Sequence, residues 1–356
     1  MVLLAVIWIV LLMAGDMPRG CEACLRGAKM VLFVTGKCEG SCYYCPLSER
    51  RKNLDVIYAD EVAVEGDLDI ILEGRAIDAE GTGITGGDPL MRLTRTLKFI
   101  RLLKGFFGED HHIHLYTNGR RASRDALVRL KSAGLDEIRF HPARRDWERV
   151  AEAKALGMYA GAEVPSIPGE ADKIKGLIRY LASVRADFIN INQLEFCPQN
   201  AFQLRQRGFR VIGGSMAAAE GSEEAAKEVV GWAEAEGIEF PVHYCPSSVK
   251  DAVQTRMRLS RRAANAARPW EERLDDGTVG KFVVKVPGAS GRAAKRILAR
   301  ALGVDVAQVG VADDGSSVEV PRRMLDAVRT VIPGAAVSYV QAYPTAAREK
   351  FAEFPC

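Results

Sequence analysis

Short apolar runs and helix-spaced stretches alternate along most of this chain. Five consecutive apolar residues, Met30 to Val34, stand between Lys29 and the pair Thr35-Gly36. A run of this length without alternation predicts a parallel strand buried on both faces. Similar segments return at 81–85 (GTGIT), 113–117 (IHLYT), 137–142 (EIRFHP), 159–167 (YAGAEVPSI), 188–196 (FININQLEF) and 238–244 (IEFPVHY). Between them, residues 93–107, 123–133, 144–156, 170–182 and 220–236 carry apolar residues at helical spacing, and Gly237 stops the last. Strands alternating with helices of about ten to fifteen residues predict βαβ units and a parallel sheet. The expected class is α/β, a partial or complete (β/α) barrel, with reactive groups at the carboxyl ends of its strands.

The alternation stops near residue 247. Residues 247–268 read as an exposed basic helix carrying Lys250, Arg256, Arg258, Arg261, Arg262 and Arg268, broken at Pro269. Asp275-Asp276-Gly277 reads as a turn and a domain boundary. Beyond it, a strand at 281–286, a helix over 291–302, short strands near Val309 and Val318, a helix over 322–331 and a strand from Ala336 predict a small α+β module. The expected organisation is an apolar and Cys-x2-Cys extension over 1–28, a barrel over 29–275 and a C-terminal α+β domain over 276–356.

Composition narrows the class without naming a partner. Of 356 residues, 48% are hydrophobic and 27% charged, which fits a globular protein with a sizeable core. A formal charge of +3 neither demands nor excludes a polyanion. Met1 to Ala14 are apolar without interruption, short of the roughly 20 residues of a membrane span. That run has no positive flank before Asp16, so a buried N-terminal strand or helix, or a start at Met13 or Met17, is expected over a signal peptide or anchor. The expected location is the cytoplasm, with no membrane partner.

Five of the eight cysteines fall between residues 21 and 45, which points to metal or cluster ligation rather than a disulfide framework. Cys38, Cys42 and Cys45 stand in the spacing C-x3-C-x2-C directly after the first predicted strand. Three thiolates on one loop leave the fourth iron of a cubane without a protein ligand. A structural zinc site would want a second Cys-x2-Cys pair some distance away, and this spacing matches that poorly.

On these residues the chain resembles the radical S-adenosylmethionine superfamily, and within it archaeal proteins related to pyruvate formate-lyase activating enzyme. The resemblance covers about residues 20 to 250. It implies a 4Fe–4S cluster on Cys38, Cys42 and Cys45, whose open iron binds S-adenosylmethionine. It also implies a one-electron reductant of ferredoxin or flavodoxin type, and a 5′-deoxyadenosyl radical that takes hydrogen from a substrate. Tyr44 matches the aromatic position that contacts the adenine. Gly86 and Gly87 match the segment that meets the methionine amino group, with Asp88 where the family has glutamate. Asn118, in LYTNG, is a polar group facing the cofactor or a turn residue. Glu163, in EVPSIPG, meets the ribose hydroxyls or is a satisfied buried carboxylate.

The remaining chemistry is less assigned. Cys21, Cys24, His243 and Cys245 make a candidate second site for zinc or an auxiliary cluster. The difficulty is geometric, because a chain entering the first strand starts at the barrel's far end. His111, His112 and His114 begin the third strand, away from the mouth, while His141 ends the fourth. Strand alternation sends Asn190 and Asn192 to one face, Gln193 and Glu195 to the other. No residue is assigned a catalytic role. The substrate is a protein or small molecule, with RNA as the alternative that the basic helix raises. A non-enzymatic iron–sulfur or zinc protein is the third reading.

Overall fold

The computed structural model describes residues 13–14, 16–213 and 217–356. The apolar N-terminal run lies almost wholly outside them, although the backbone of Met13 and Ala14 pairs antiparallel with His243 and Val242. No helix among the described residues is long and apolar enough to cross a membrane.

The chain divides into two compact units. The first runs through Arg75 and from Ala79 to Gln254, and the second comprises Ala76–Asp78 and Thr255–Cys356. The division therefore falls before the expected turn at 275–277. The reason is pairing: the strand Glu272–Arg273 pairs with Val279–Lys285, and the helix Arg256–Ala266 packs beside it. Both belong to the C-terminal sheet rather than to the barrel.

Seven parallel strands build the first unit: β1 (Lys29–Phe33), β2 (Gly81–Thr85), β3 (His112–Thr117), β4 (Glu137–Phe140), β5 (Tyr159–Ser166), β6 (Ile189–Gln193) and β7 (Val242–Cys245). They lie side by side in chain order. No described residues join β7 to β1. Beyond β1 the sheet ends in the hairpin Tyr58–Ala59 and Val62–Ala63, and beyond β7 in Met13–Ala14. The architecture is a partial barrel, which excludes the closed form.

Sequence period explains why each element forms. The helix Leu93–Phe107 buries Thr96, Leu97, Phe99, Ile100 and Leu103, spaced three and four apart on one face. The helix Arg124–Ser132 starts where the Ser123 hydroxyl accepts from the Ala126 amide, at 3.2 Å. β1 is apolar on both faces, with Met30 and Leu32 on one and Val31 and Phe33 on the other, whereas β3, β4 and β6 are apolar on one face only. Ile113, Leu115, Ile138, Phe140, Ile189 and Ile191 are fully buried. The alternate positions hold His112, His114 and Tyr116 on β3, Glu137 and Arg139 on β4, and Asn190 and Asn192 on β6.

The helix α1 (Arg19–Leu25) sits against β1, β2 and β3. Gly20 makes this seat possible: a methyl group there would lie 2.5 Å from the His114 ring and 2.8 Å from the Arg139 guanidinium.

The second unit is an antiparallel sheet with helices. The helix Gly291–Leu302 and the helix Leu325–Val331 bury Ala294, Leu298 and Val328 on a core with Phe282, Val284, Val318 and Val320. The expected exposed basic helix is not a bare charged face. Arg262 is buried and donates to the Pro344 carbonyl, Arg261 donates to the carbonyls of Ile77 and Asp78, and Arg256 donates to that of Asp275. These guanidinium groups satisfy carbonyls that would otherwise lack donors.

Candidate functional site

The loop leaving β1 carries Cys38, Cys42 and Cys45, all free. It is fastened to the exits of the next strands by backbone bonds. The Gly87 amide donates to the Thr35 carbonyl at 2.7 Å, and the Asp88 amide to that of Lys37 at 2.8 Å. A methyl group at Gly86 would stand 2.4 Å from the Thr35 carbonyl oxygen, and one at Gly87 2.5 Å from those of Gly36 and Lys37. The glycine pair thus admits the cysteine loop's own backbone, a requirement in addition to the expected approach of a cofactor.

Asp88 turns inward. It is 1% exposed, and its carboxylate accepts from the Leu90 amide at 2.9 Å, from the Thr117 hydroxyl at 3.0 Å and from the Asn118 amide at 3.0 Å. Burial raises its pKa, and these bonds pull it back. Those bonds occupy the carboxylate in joining the β2 exit to the β3 exit. Asn118, placed by that bond, directs its amide at Cys38 Sγ, 3.6 Å away. Arg120 and Arg121 continue the fastening by donating to the Glu39 carbonyl and side chain.

Burial pushes the Cys38 thiol up, and N–H donors at its sulfur work against that. The Gly40 amide donates to Cys38 Sγ at 3.1 Å. A methyl at Gly40 would come within 3.2 Å of Cys38 Sγ, tighter than ordinary contact, and 4.0 Å of Cys42 Sγ, so this position stands beside both sulfurs. A hydrogen bond with His141 holds the Cys42 thiol below its usual range, against burial. The His141 Nε2 is 2.7 Å from the Tyr44 hydroxyl, and its Nδ1 is 3.0 Å from the Glu163 carbonyl oxygen. Three thiols on one loop, with N–H donors aimed at sulfur, fit a thiolate-ligated cluster.

Tyr44 and His141 also form one wall of a cleft of about 440 Å3, completed by Trp147, Val164, Pro165 and Ile167 at the ends of β4 and β5. Behind the cysteine loop, Tyr43 and Tyr44 pack on Leu194, Phe196 and Leu204, and the Asn200 amide donates to the Tyr44 carbonyl at 3.0 Å. The segment after β6 therefore covers one side of the mouth.

Inside the barrel lies a second cavity, of about 180 Å3. Glu163 faces it with its carboxylate saturated: Arg139 donates at 2.8 Å, Asn192 at 2.8 Å and Asn190 at 3.1 Å. Burial would raise Glu163, but the Arg139 charge and these donors outweigh it and hold the group at about 2. Of the two readings of Glu163, the satisfied buried carboxylate is the one this geometry supports. Cys21, Cys24, His243 and Cys245 line the same cavity, because α1 enters the barrel instead of staying at its far end. No three His, Cys, Asp or Glu side chains among the described residues are gathered as for a single metal ion.

His111 bonds Thr82 at 2.8 Å, His112 meets Glu137 at 3.3 Å, and His114 is fully buried, so HHIH is distributed over three surroundings. Lys29, Tyr116 and Arg139, which the sequence did not single out, also line the cavity, as does Lys250, expected only on an exposed basic helix. One signal existed: charged residues in strands whose alternate positions are apolar, as in EIRF.

The radical SAM superfamily model matches residues 32–143. The chain is 42% identical over 273 residues to a Methanocaldococcus jannaschii protein provisionally named a glycyl-radical enzyme activating enzyme, covering 73% of this chain and 72% of that one. Among solved structures, Streptococcus suis SuiB bound to precursor peptide SuiA matches with TM-score 0.46 and 10% identity, over 62% of this chain and 49% of that one. The Escherichia coli coproporphyrinogen III oxidase HemN, titled a radical SAM enzyme, matches with TM-score 0.38 and 13% identity, over 66% and 61%. The chain spans about half the length of SuiB.

Proposed function

Because the chain belongs to the radical S-adenosylmethionine superfamily, we propose that it is an activating-type enzyme that generates a radical on a protein substrate. The observation that carries this reading is the cysteine loop, C-x3-C-x2-C at the exit of β1 and hydrogen-bonded to the glycine pair at the exit of β2. When bound, a 4Fe–4S cluster and S-adenosylmethionine supply one-electron cleavage of the sulfonium, giving methionine and a hydrogen-abstracting 5′-deoxyadenosyl radical.

The chain's own residues hold and orient. Cys38, Cys42 and Cys45 take one iron each, and the Gly40 and Asn118 N–H groups stabilise the sulfur charge. In this reading the backbone of Gly86 and Gly87 meets the methionine end. The cleft beside Tyr44, lined by Trp147, Val164 and Ile167 and also by Arg144, Glu170, Asp172 and Lys173, has the size for the adenosyl group. His141 fixes the Tyr44 ring through its 2.7 Å bond. A ferredoxin- or flavodoxin-like protein supplies the electron. The M. jannaschii relative's name points to a glycyl-radical protein as the substrate.

Reduced, anaerobically reconstituted protein is expected to convert S-adenosylmethionine to 5′-deoxyadenosine, and Cys38→Ala, Cys42→Ala or Cys45→Ala to abolish this. Protein with its full iron content that yields no 5′-deoxyadenosine would sink the proposal.

A further inference from the structure

Four side chains that the cysteine loop does not use meet in the cavity inside the barrel: Cys21 and Cys24 from α1, His243 and Cys245 from β7. The thiols share this cavity with Lys29, Arg139 and Lys250. Arg139 Nη1 lies 3.3 Å from Cys21 Sγ, with Asn190 Nδ2 a second donor at 3.3 Å. Lys29 and Lys250 line the same cavity, Lys29 acting on Cys24 and Lys250 on Cys245 through their charge. The carboxylates nearby are already engaged, Glu163 by Arg139 and Glu195 by Lys250 at 2.9 Å.

His243 is presented as a ligand. The Asn190 amide nitrogen donates to Cys21 and Glu163, which leaves its oxygen as acceptor, 3.2 Å from His243 Nδ1. The imidazole therefore carries its proton on Nδ1. Its Nε2 is a buried lone pair with no hydrogen-bond partner. An outer hydrogen bond that fixes the tautomer is how proteins orient a metal-binding histidine.

We propose that Cys21, Cys24 and Cys245 ligate a second iron–sulfur cluster inside the barrel, with His243 facing its remaining iron. A zinc ion would need its donors about 2.3 Å from one point. No such trio occurs among the described residues. Each thiolate of a cluster binds a separate iron, so its donors stand apart, as those of Cys38, Cys42 and Cys45 also do. Arg139 and Asn190, donating to Cys21 Sγ, supply the N–H···S bonds that set the potential of such a centre.

This inference goes beyond the function proposed above and is tested separately from it. Anaerobically produced protein is expected to hold about eight iron and about eight sulfide per chain, as two cubanes require. The combined Cys38→Ala, Cys42→Ala, Cys45→Ala variant is expected to keep about half, with one cluster signal in the EPR spectrum of the reduced protein. The combined Cys21→Ala, Cys24→Ala, Cys245→Ala variant is expected to keep the other half, with a different signal. Circular dichroism and gel filtration check that both fold, and Cys245→Ser in the full chain is expected to shift the second signal alone. An iron-free but folded first variant would overturn the proposal, as would one equivalent of zinc in place of the extra iron. Protein with both clusters and no 5′-deoxyadenosine would refute the function while supporting this site.

Discussion

Asp88 shows how one residue acquires a role that its motif does not announce. The resemblance makes a backbone contact to the cofactor firmer here than one from this shorter side chain, and the carboxylate is the acceptor for the Leu90 amide, the Thr117 hydroxyl and the Asn118 amide. Shortening glutamate by one methylene withdraws the carboxylate to the backbone it caps. Asp88→Ala leaves those three buried donors without an acceptor, at about 1–3 kcal/mol each before relaxation. Urea unfolding is expected to show a loss of about 3 kcal/mol, with Asp88→Asn losing less because it keeps one acceptor oxygen. An alanine variant as stable as the parent but weaker in S-adenosylmethionine binding would return Asp88 to the cofactor. Gly40 is a simpler case, since a side chain there would stand beside Cys38 and Cys42 Sγ.

Among the elements, the strands decide what the barrel can hold. Their outward residues are the Ile, Leu and Phe of a packed interior, and their inward residues are polar and charged. Arg139 on β4, Glu163 on β5, and Asn190 and Asn192 on β6 form one hydrogen-bonded set across three strands. A buried pair of this kind costs desolvation on both partners and holds only when every lone pair is met. The set also links stability to pH. Glu163 titrates at about 2 when folded, below the usual value of 4.5. Folding therefore favours its ionised form. That contribution is fully present above about pH 4.5 and declines as the pH falls towards 2. Urea midpoints measured from roughly pH 5 to pH 3 should fall less steeply in Glu163→Gln than in the parent. Equal slopes would mean that Glu163 titrates normally.

For the molecule as a whole, the basic helix lends the nucleic-acid alternative little support. A net charge of +3 over 356 residues is small. Arg256, Arg261 and Arg262 donate to carbonyls within the second unit. Guanidinium groups held this way contribute little to phosphate binding. Filter binding with tRNA at low salt is expected to detect no complex. A salt-dependent complex lost on substituting Arg256 and Arg258 would instead revive an RNA substrate.

The order of elements was legible because period is local. Strands β2 to β7 lie within a few residues of their expected places, and the helices of 93–107 and 291–302 coincide with them. The cluster loop was equally legible, since three cysteines on one turn need no distant partner. The interior was not, because Lys29, Arg139, Glu163 and Cys245 are far apart in the chain and meet only when parallel strands align in register. Nor did the Cys-x2-Cys of α1 reveal its place. A helix without long apolar spacing has no pattern that says which surface it will cover, and here two small residues, Gly20 and Gly83, open the seat beside His114. Local spacing thus sufficed for the radical-SAM loop and the sheet that carries it. Tertiary packing alone brought Cys21, Cys24, His243 and Cys245 to one cavity, because their proximity depends on α1 entering a barrel that β1 and β7 leave open.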